Sequence, residues 1–595
     1  MRRTGIAYRV STRALLPTVA LALGTACTNH PDEGTLVTPG TGVETVPGGG
    51  QRIKAAPARP IMGGTLTTSH DGTIAVASDP DRDAVFVVHL EQRAVTPIQL
   101  EAGEVPGRVV MGSGSNAYVV LRDAAAVARI DLDRERLIER YAVCSAPRGI
   151  AFDAGTGLLH VTCQNGTLVS LDTEGGDVVR QLAVADDLRD VVVSGGDLVL
   201  TTFRSAEIIV LNADGQIEQR STPDVLEPGS RPSVAWRAVA GPDDQVHIVH
   251  QVADTARGVS TAPSGYSGGS GSCSFSIVRP ALTTFTRDAT GRGMASPPVQ
   301  LLGSAGPTDI AVSDQGRIAV VVAGNAWSET TSVLSFDSLD SAQDCGASEP
   351  SPGEPVAVAF DAEGHTVVQS REPAALYLED GAVIALSGES RANTGLALFH
   401  MNTGSGIACA SCHPEGMDDG QTWNFTETSW RRTQNVAGGI AQRAPYHWDG
   451  DMEDFSMLVG EVMVGRMSLP IAPNDEQQEA FLGWVDSVAR PVARLGDPDA
   501  VERGKALFFD ANVACNECHT GPQLTNRGIF DVGTGGDFVV PSLVGIAARA
   551  PYLHDGCAST LRERFSACGG GDRHGRTSHL SEAELDDLVT YLETL

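Results

Sequence analysis

Two copies of the pentapeptide Cys-x-x-Cys-His in the last third of this chain constrain its fold most strongly. The first spans residues 409–413 and the second spans residues 515–519. Two thiols followed directly by an imidazole are typical of covalent haem attachment, in which the thiols bind the haem and the histidine ligates its iron. We therefore predict two covalently bound haem c groups. The attachment residues are Cys409, Cys412, Cys515 and Cys518, and the proximal iron ligands are His413 and His519.

A zinc site or a redox dithiol is the alternative interpretation of each cysteine pair. Zinc takes four protein ligands in structural sites, so each pair would have to recruit two more. A dithiol does not explain why a histidine follows both pairs. Haem attachment therefore remains the favoured interpretation.

The sequence around the two motifs is an internal repeat. Pro445 follows Cys409 by 36 positions, and Pro551 follows Cys515 by 36. The pattern Gly-x-Ala-Leu-Phe precedes each motif, at 395–399 and at 504–508. Two unrelated motifs would not share this spacing, so we interpret the region as a duplicated domain.

Each copy of the repeat ends in a predicted helix. Residues 474–477 and 581–584 have the form of a capping box, and apolar residues follow both at helical spacing. A helix before the motif and another at the end resemble the frame of a class I cytochrome c. We therefore expect two all-α haem domains, at 391–496 and 497–595.

Residues 56–390 have a different pattern, in which short apolar strands alternate with turns. A unit of about four strands recurs about every 40 residues, which is typical of a β-propeller. Seven units begin near residues 61, 105, 145, 187, 232, 305 and 354, and six or eight blades remain open. The pattern resembles the Tyr-Val-Thr-Asn class of propellers. The fifth unit contains a long excursion at 260–274, which we interpret either as a surface loop or as a segment that reaches a haem or a partner.

The N-terminal residues 1–27 are typical of an export signal. Four arginines precede an apolar run at 14–23, about half the length needed to span a bilayer. Cys27 follows small residues, so we predict a lipid anchor there; simple cleavage near Ala26 is the alternative. Residues 28–55 are rich in Gly, Pro and Thr and are predicted to be a flexible linker. The protein is therefore expected in the periplasm or cell envelope, with a lipid anchor as its only membrane attachment.

The remaining cysteines are even in number, which in an exported protein predicts disulfides. Proximity in sequence favours Cys144–Cys163 and Cys557–Cys568, and Cys273–Cys345 follows by elimination. Free buried thiols are the alternative. The formal net charge of −31 argues against nucleic-acid binding and is compatible with a basic redox partner protein.

The stretch at 540–556, which reads VPSLVGIAARAPYLHDG, resembles the bacterial di-haem cytochrome c peroxidases and the related enzymes that mature methylamine dehydrogenase. The resemblance covers roughly residues 391–595. It implies that one haem transfers electrons while the other binds hydrogen peroxide at an open iron position. In the peroxidases a methionine ligand lies fourteen residues after the histidine of this stretch, a position that Cys568 occupies here.

Other residues can replace that methionine as distal iron ligands. Met467 lies 17 positions after Gly450, and His574 lies 18 positions after the equivalent Gly556. We predict Met467 as the distal ligand of the first haem and His574 as that of the second. The alternatives are that Met463 ligates the first iron, or that His574 lies on the surface.

Peroxide chemistry would need an open iron and an acid or base beside it. The sequence offers only weak candidates, Glu415, Glu427 and His447. The two copies also differ where Trp448 replaces the histidine found at His554. We therefore predict a di-haem electron-transfer protein, with a di-haem peroxidase and a propeller-based binding protein with redox-sensing haems as alternatives.

Overall fold

The computed structural model describes residues 57–267, 276–288, 291–328, 330–339, 351–566 and 568–595. The predicted signal segment with Cys27, the linker at 28–55 and the Cys273–Cys345 pair lie outside the described residues. Within the described part, no helix is long and apolar enough to cross a membrane.

From residue 57 to residue 385, the described strands form seven antiparallel sheets, each built from strands consecutive in sequence. Blade one contains β1 Leu66–Thr68, β2 Ile74–Asp79, β3 Ala84–His89 and β4 Ala94–Gln99; blade two contains β5 Pro106–Met111, β6 Asn116–Leu121, β7 Ala126–Asp131 and β8 Arg136–Ala142. Blade three contains β9 Pro147–Asp153, β10 Leu158–Cys163, β11 Thr167–Asp172 and β12 Val178–Ala183; blade four contains β13 Leu188–Ser194, β14 Asp197–Thr202, β15 Ile208–Leu211 and β16 Ile217–Ser221.

Among the described residues, the last three blades differ in strand number. Blade five contains β17 Ser230–Ala240, β18 Val246–Asp254, β19 Val278–Arg287, β20 Gly293–Ala295 and β21 Val299–Gln300. Blade six contains β22 Pro307–Val312, β23 Ile318–Val322 and β24 Val333–Phe336; blade seven contains β25 Pro355–Phe360, β26 Thr366–Ser370, β27 Ala375–Leu378 and β28 Val383–Ala385. The seven predicted units are confirmed, and their predicted starts fall within five residues of the first strand of each blade.

The blades form a closed ring, because the first strand of each blade contacts the first strands of both neighbours. Middle strands such as β6 are almost wholly buried, since neighbouring blades cover both faces, and they read as continuous apolar runs. Fourth strands such as β12 lie at the rim and are largely exposed. The core is therefore a series of apolar layers between successive blades.

Side chains close the ring between blade seven and blade one. Thr65 Oγ1 donates a hydrogen bond to Gln369 Oε1 at 2.7 Å, and Gln369 Nε2 donates to the Ser78 carbonyl at 2.8 Å. An apolar cluster that includes Leu66 and Leu376 fills the space between the two sheets. A disulfide joins Cys144 to Cys163, with a Cα–Cα distance of 6.2 Å, and so ties blade two to blade three.

The region after residue 390 is mainly helical. Its α-helices are α1 Thr394–His400, α2 Cys409–Cys412, α3 Phe455–Leu458, α4 Asp475–Ser487, α5 Pro498–Phe509 and α6 Glu582–Glu593. A π-helix spans Val459–Arg466, and two hairpins are formed by β29 Thr422–Phe425 with β30 Ser429–Arg432 and by β31 Ile529–Asp531 with β32 Asp537–Val539. Short 3-10 helices include Pro414–Gly416, Ile440–Gln442, Cys515–Glu517, Ile546–Ala548, Glu563–Phe565 and Gly571–Arg573.

The two copies of the repeat place equivalent helices in equivalent positions. Helix α1 packs against α4, and α5 packs against α6. Both predicted capping boxes form: the Asn474 side chain accepts from the Gln477 amide at 2.9 Å, and the Ser581 amide donates to Glu584 at 2.8 Å. Cys557 and Cys568 form a disulfide with a Cα–Cα distance of 6.1 Å.

Candidate haem-binding sites

Two cavities lie in the helical region, and each is lined by one Cys-x-x-Cys-His motif. The first has a volume of about 320 Å³, and its walls include Cys409, Cys412 and His413. The second has a volume of about 190 Å³, and its walls include Cys515, Cys518 and His519. Each motif therefore presents two thiols and one imidazole to a cavity of its own.

The motif cysteines are arranged for attachment to a group in the cavity rather than to each other. Helix α2 begins at Cys409 and ends at Cys412, so a single helical turn carries both sulfurs of the first motif. All four motif cysteines are free thiols. Burial raises the pKa of Cys409 to about 12 and also holds the pKa of Cys412 well above its usual value, so both sulfurs are protonated at neutral pH.

The motif histidines are held in the same way in both copies. The ring Nδ1 lies 3.2 Å from the Met417 carbonyl oxygen in His413 and 3.2 Å from the Leu524 carbonyl oxygen in His519. A hydrogen bond from Nδ1 to a backbone carbonyl fixes the tautomer in which Nε2 can coordinate a metal. Burial lowers the pKa of His519 to about 4 and also lowers the pKa of His413, which keeps both rings neutral, as metal ligation requires.

His574 faces His519 in the second cavity. Both residues line it, and their ring centres are 6.3 Å apart with an angle of 33° between the ring planes. Two imidazoles that ligate one metal, each through a nitrogen at about 2 Å, have ring centres about 6 Å apart. The spacing of these rings therefore fits a metal held between two histidines, and His574 is half-buried in the cavity wall.

In the first cavity the structure distinguishes between the two candidate methionines. Met467 lines the cavity together with Val462 and Arg466, whereas Met463 is buried outside this lining. The change from α-helix to π-helix over Val459–Arg466 precedes Met467 directly and sets its direction. A thioether is thus available to the first cavity and an imidazole to the second.

Two of the three candidate acid or base groups, Glu415 and Glu427, lie outside the lining of the first cavity. Glu415 is buried against the propeller, where Arg189 lies 2.5 Å and Arg122 lies 2.9 Å from its carboxylate oxygens. Burial alone would raise the pKa of Glu415, but these guanidinium groups hold it well below its usual range. Glu427 hydrogen-bonds to the Ser260 hydroxyl at 2.9 Å and is not among the cavity-lining residues. Neither carboxylate is placed to transfer a proton in the cavity.

His447 is the candidate that does reach the first cavity. Its Nδ1 lies 3.0 Å from Asp451 Oδ1, and both residues line the cavity.

The excursion in blade five also reaches this cavity, because Thr261 and Tyr266 form part of its wall. The Tyr266 hydroxyl accepts a hydrogen bond from Arg466 at 3.3 Å. In the sequence, the length of the excursion indicates that this segment can reach a haem site, but the length does not identify Tyr266 as the residue in contact.

The two cavities share a wall. The residues that line both are Arg432, Trp448, Val539, Val540, Pro541, Ser542 and Arg549. Trp448 and His554, which occupy equivalent positions in the repeat, meet at this wall with ring centres 6.3 Å apart. The two copies differ in sequence at Trp448 and His554, and these two residues therefore lie between the cavities.

Three arginines concentrate positive charge at the first cavity, and two of them, Arg432 and Arg549, are buried. Arg432, Arg443 and Arg549 all line it, and Arg432 pairs with Asp418 at 2.7 Å. Burial, followed by repulsion from the neighbouring arginines, lowers the pKa of Arg549 to about 9. Arg443 and Arg549 are equivalent in the repeat, but the sequence carried no signal for Arg432.

Comparison with known proteins gives partial matches. No family model matches the chain. The chain is 28% identical over 254 residues to hydrazine synthase subunit gamma of Kuenenia stuttgartiensis, covering 32% of this chain and 72% of that protein. It is 30% identical over 131 residues to methylamine utilization protein MauG of Methylorubrum extorquens, covering 17% of this chain and 37% of that protein. The chain thus spans about a third of the length of the second relative.

Two solved structures each cover a little more than half of this chain. A structure of Kuenenia stuttgartiensis hydrazine synthase has a TM-score of 0.44 at 19% identity and covers 56% of this chain and 97% of its own. Virginiamycin B lyase from Staphylococcus aureus has a TM-score of 0.37 at 14% identity and covers 53% of this chain and 92% of its own. At these TM-scores the assignment of the propeller rests on the strand pairing described above.

Proposed function

We propose that this protein is an exported di-haem c-type cytochrome that transfers electrons. One haem c is bound at each Cys-x-x-Cys-His motif, in domains spanning residues 391–496 and 497–595. The observation that carries the proposal is that each motif lines a cavity of its own, with its histidine held by a backbone carbonyl so that Nε2 is available to a metal. The match to methylamine utilization protein MauG accords with the resemblance seen in the sequence.

Haem, when bound, supplies an iron that accepts and releases single electrons. The residues of this chain hold the iron and set its surroundings. His413 and Met467 would hold the first iron, and His519 and His574 would hold the second. Arg432, Arg443 and Arg549 supply the positive charge that the carboxylates of haem propionates require. The residues that line both cavities would lie between the two haems, and a redox partner protein would supply or accept the electrons.

The proposal is tested by removing one motif. We expect the variant in which Cys515 and Cys518 are both Ala to retain one covalent haem per chain, whereas the native protein carries two. The pyridine haemochrome assay counts them. A matched variant, with Cys409 and Cys412 both Ala, should also retain one. Two covalent haems in either variant, or none in the native protein, would contradict the assignment.

A peroxidase-type oxidoreductase that uses hydrogen peroxide is the second candidate. It is favoured by the first cavity, which is larger than the second and contains His447 beside Asp451. If the first iron has an open position, the reduced protein will bind carbon monoxide and turn over with peroxide. A reduced spectrum unchanged by carbon monoxide, together with absence of turnover, supports electron transfer alone.

Export and a lipid anchor at Cys27 remain part of the proposal, and fractionation of cells after Cys27→Ser replacement tests the anchor.

A further inference from the structure

The centre of the propeller contains a socket of arginines at one of its openings. Arg108, Arg148, Arg189 and Arg237 come from the first strands of four successive blades, and Arg122 and Arg204 come from the turns after second strands. The propeller carboxylates paired with them are Asp187, Asp190 and Asp309. Arg108, Arg148, Arg204 and Arg237 share these three carboxylates, whereas Arg122 and Arg189 pair with none of the three. The excess of buried positive charge therefore needs further anions.

The missing anions come from the segment directly after the first haem motif. Glu415 contributes both carboxylate oxygens, one to Arg189 at 2.5 Å and one to Arg122 at 2.9 Å. Asp418 pairs with Arg204 at 3.1 Å. Both acidic side chains are almost wholly buried. A buried carboxylate with two guanidinium partners has one favourable position, so these contacts fix the segment on the propeller.

The fixed segment is the one that orients His413. Glu415 adopts a left-handed backbone conformation, with φ 52°, inside the turn Pro414–Gly416. That turn brings the Met417 carbonyl to His413 Nδ1. On the other side of the histidine, Gln251 of β18 donates a hydrogen bond to the Ser411 carbonyl at 3.1 Å. The propeller therefore holds the backbone on both sides of His413.

The second motif has a different residue at the position of Glu415. Glu415 lies two residues after His413, and Gly521 lies two residues after His519. A glycine has no side chain that could form such an ion pair. The socket is thus specific to the first motif, although the two copies share their remaining framework.

We propose that the propeller of this protein is a positioning element for the first haem site, with Glu415 as the positioning residue that docks the Cys409–Asp419 segment into the arginine socket. The proposal deepens the proposed function and, as far as the haem is concerned, rests on it. The propeller would then act through the orientation of His413, so that a change at the socket alters one haem and leaves the other unchanged.

The test compares Glu415→Gln with the native protein by hydrogen exchange. The amides of Gly416, Met417 and Asp419 are hydrogen-bonded within the segment. We expect them to exchange at least about tenfold faster in the variant, because the docking that protects them is weakened. Arg122→Gln should have the same effect from the propeller side and, being less buried, provides a second variant if Glu415→Gln does not fold. Glu207→Gln, which removes a propeller carboxylate paired with Arg220 at the rim at 2.9 Å, is the matched control and should leave exchange unchanged.

A second measurement concerns the haem. In the background lacking Cys515 and Cys518, which retains only the first motif, Glu415→Gln should shift the midpoint potential and the ligand-field spectrum, and the control should not. Unchanged exchange in the segment, or a haem whose potential and spectrum do not respond, would overturn the proposal. Absence of any haem in this background would contradict the proposed function instead, while the exchange measurement would still decide whether the propeller positions the segment.

Discussion

At the level of single residues, the second cavity is distinguished by His574, which faces His519. The resemblance of residues 540–556 to di-haem peroxidases predicts a methionine ligand at the position of Cys568, and Cys568 is instead bonded to Cys557. The short helix Gly571–Arg573 follows and brings His574 to face His519. Two imidazole ligands close an iron to substrate, which suits the second site to electron transfer.

Replacing His574 with alanine should open the second iron. We expect the reduced variant to bind carbon monoxide at one additional haem per chain, measured by the change in its absorption spectrum. His579→Ala is the control, since His579 is an exposed histidine five residues further along the chain. Carbon monoxide binding equal to that of the native protein would show that His574 is not a ligand.

At the level of elements, the glycine of each Gly-x-Ala-Leu-Phe pattern marks a close helix crossing. A Cβ at Gly504 would lie 2.0 Å from the Asp587 carbonyl oxygen of α6, and one at Gly395 would lie 2.4 Å from the Ala480 carbonyl oxygen of α4. The glycine shared by the two copies therefore meets a packing requirement at each helix crossing, in addition to reflecting a common origin of the copies.

Gly504→Ala should destabilise the second helical domain. In an open helix the same change stabilises by about 1 kcal/mol, but here overpacking at the crossing costs about 1–3 kcal/mol. Gly483→Ala in α4 is the matched control, because its Cβ would meet no atom within 4 Å. Thermal unfolding should therefore show a lower Tm for Gly504→Ala and a slightly higher one for Gly483→Ala. An increase in Tm for both would refute the close crossing.

At the level of the whole molecule, buried histidines couple propeller stability to pH. His160, His247 and His250 are buried in blades three and five, and burial lowers the pKa of each to about 4. Below pH 6.5 the unfolded chain binds protons at these positions, whereas the folded chain does not until about pH 4. The free energy of unfolding should therefore fall as pH is lowered through this window, by about 1.4 kcal/mol per pH unit for each histidine.

His160→Asn should reduce this pH dependence by about one histidine's share. Within the described part of the chain, His160 forms a hydrogen bond with Ser170 at 2.9 Å and its buried Nε2 has no partner, so the substitution disturbs little else. Chemical denaturation at several pH values between 6.5 and 4 measures the slope. An equal slope in His160→Asn would mean that His160 is protonated in the folded protein.

The sequence by itself determined the features that local spacing encodes. The propeller units follow from strand periodicity and are confirmed, and both capping boxes form where the four-residue pattern placed them. The motif cysteines and histidines were also apparent, because covalent attachment fixes their spacing along the chain. Haem binding at these motifs remains a prediction.

Tertiary structure alone decided which side chains meet at each site. Glu415 was a candidate acid or base by its distance from the first motif, but its partners Arg189 and Arg122 lie 226 and 293 positions away along the chain. Tyr266 reaches the first cavity from blade five, and Trp448 meets His554 between the cavities. Contacts between distant segments produce no periodic pattern, since they depend on how whole blades and helices pack. The sequence therefore specified the two motifs, and the packing of distant segments, including the propeller at the first motif, specified their surroundings.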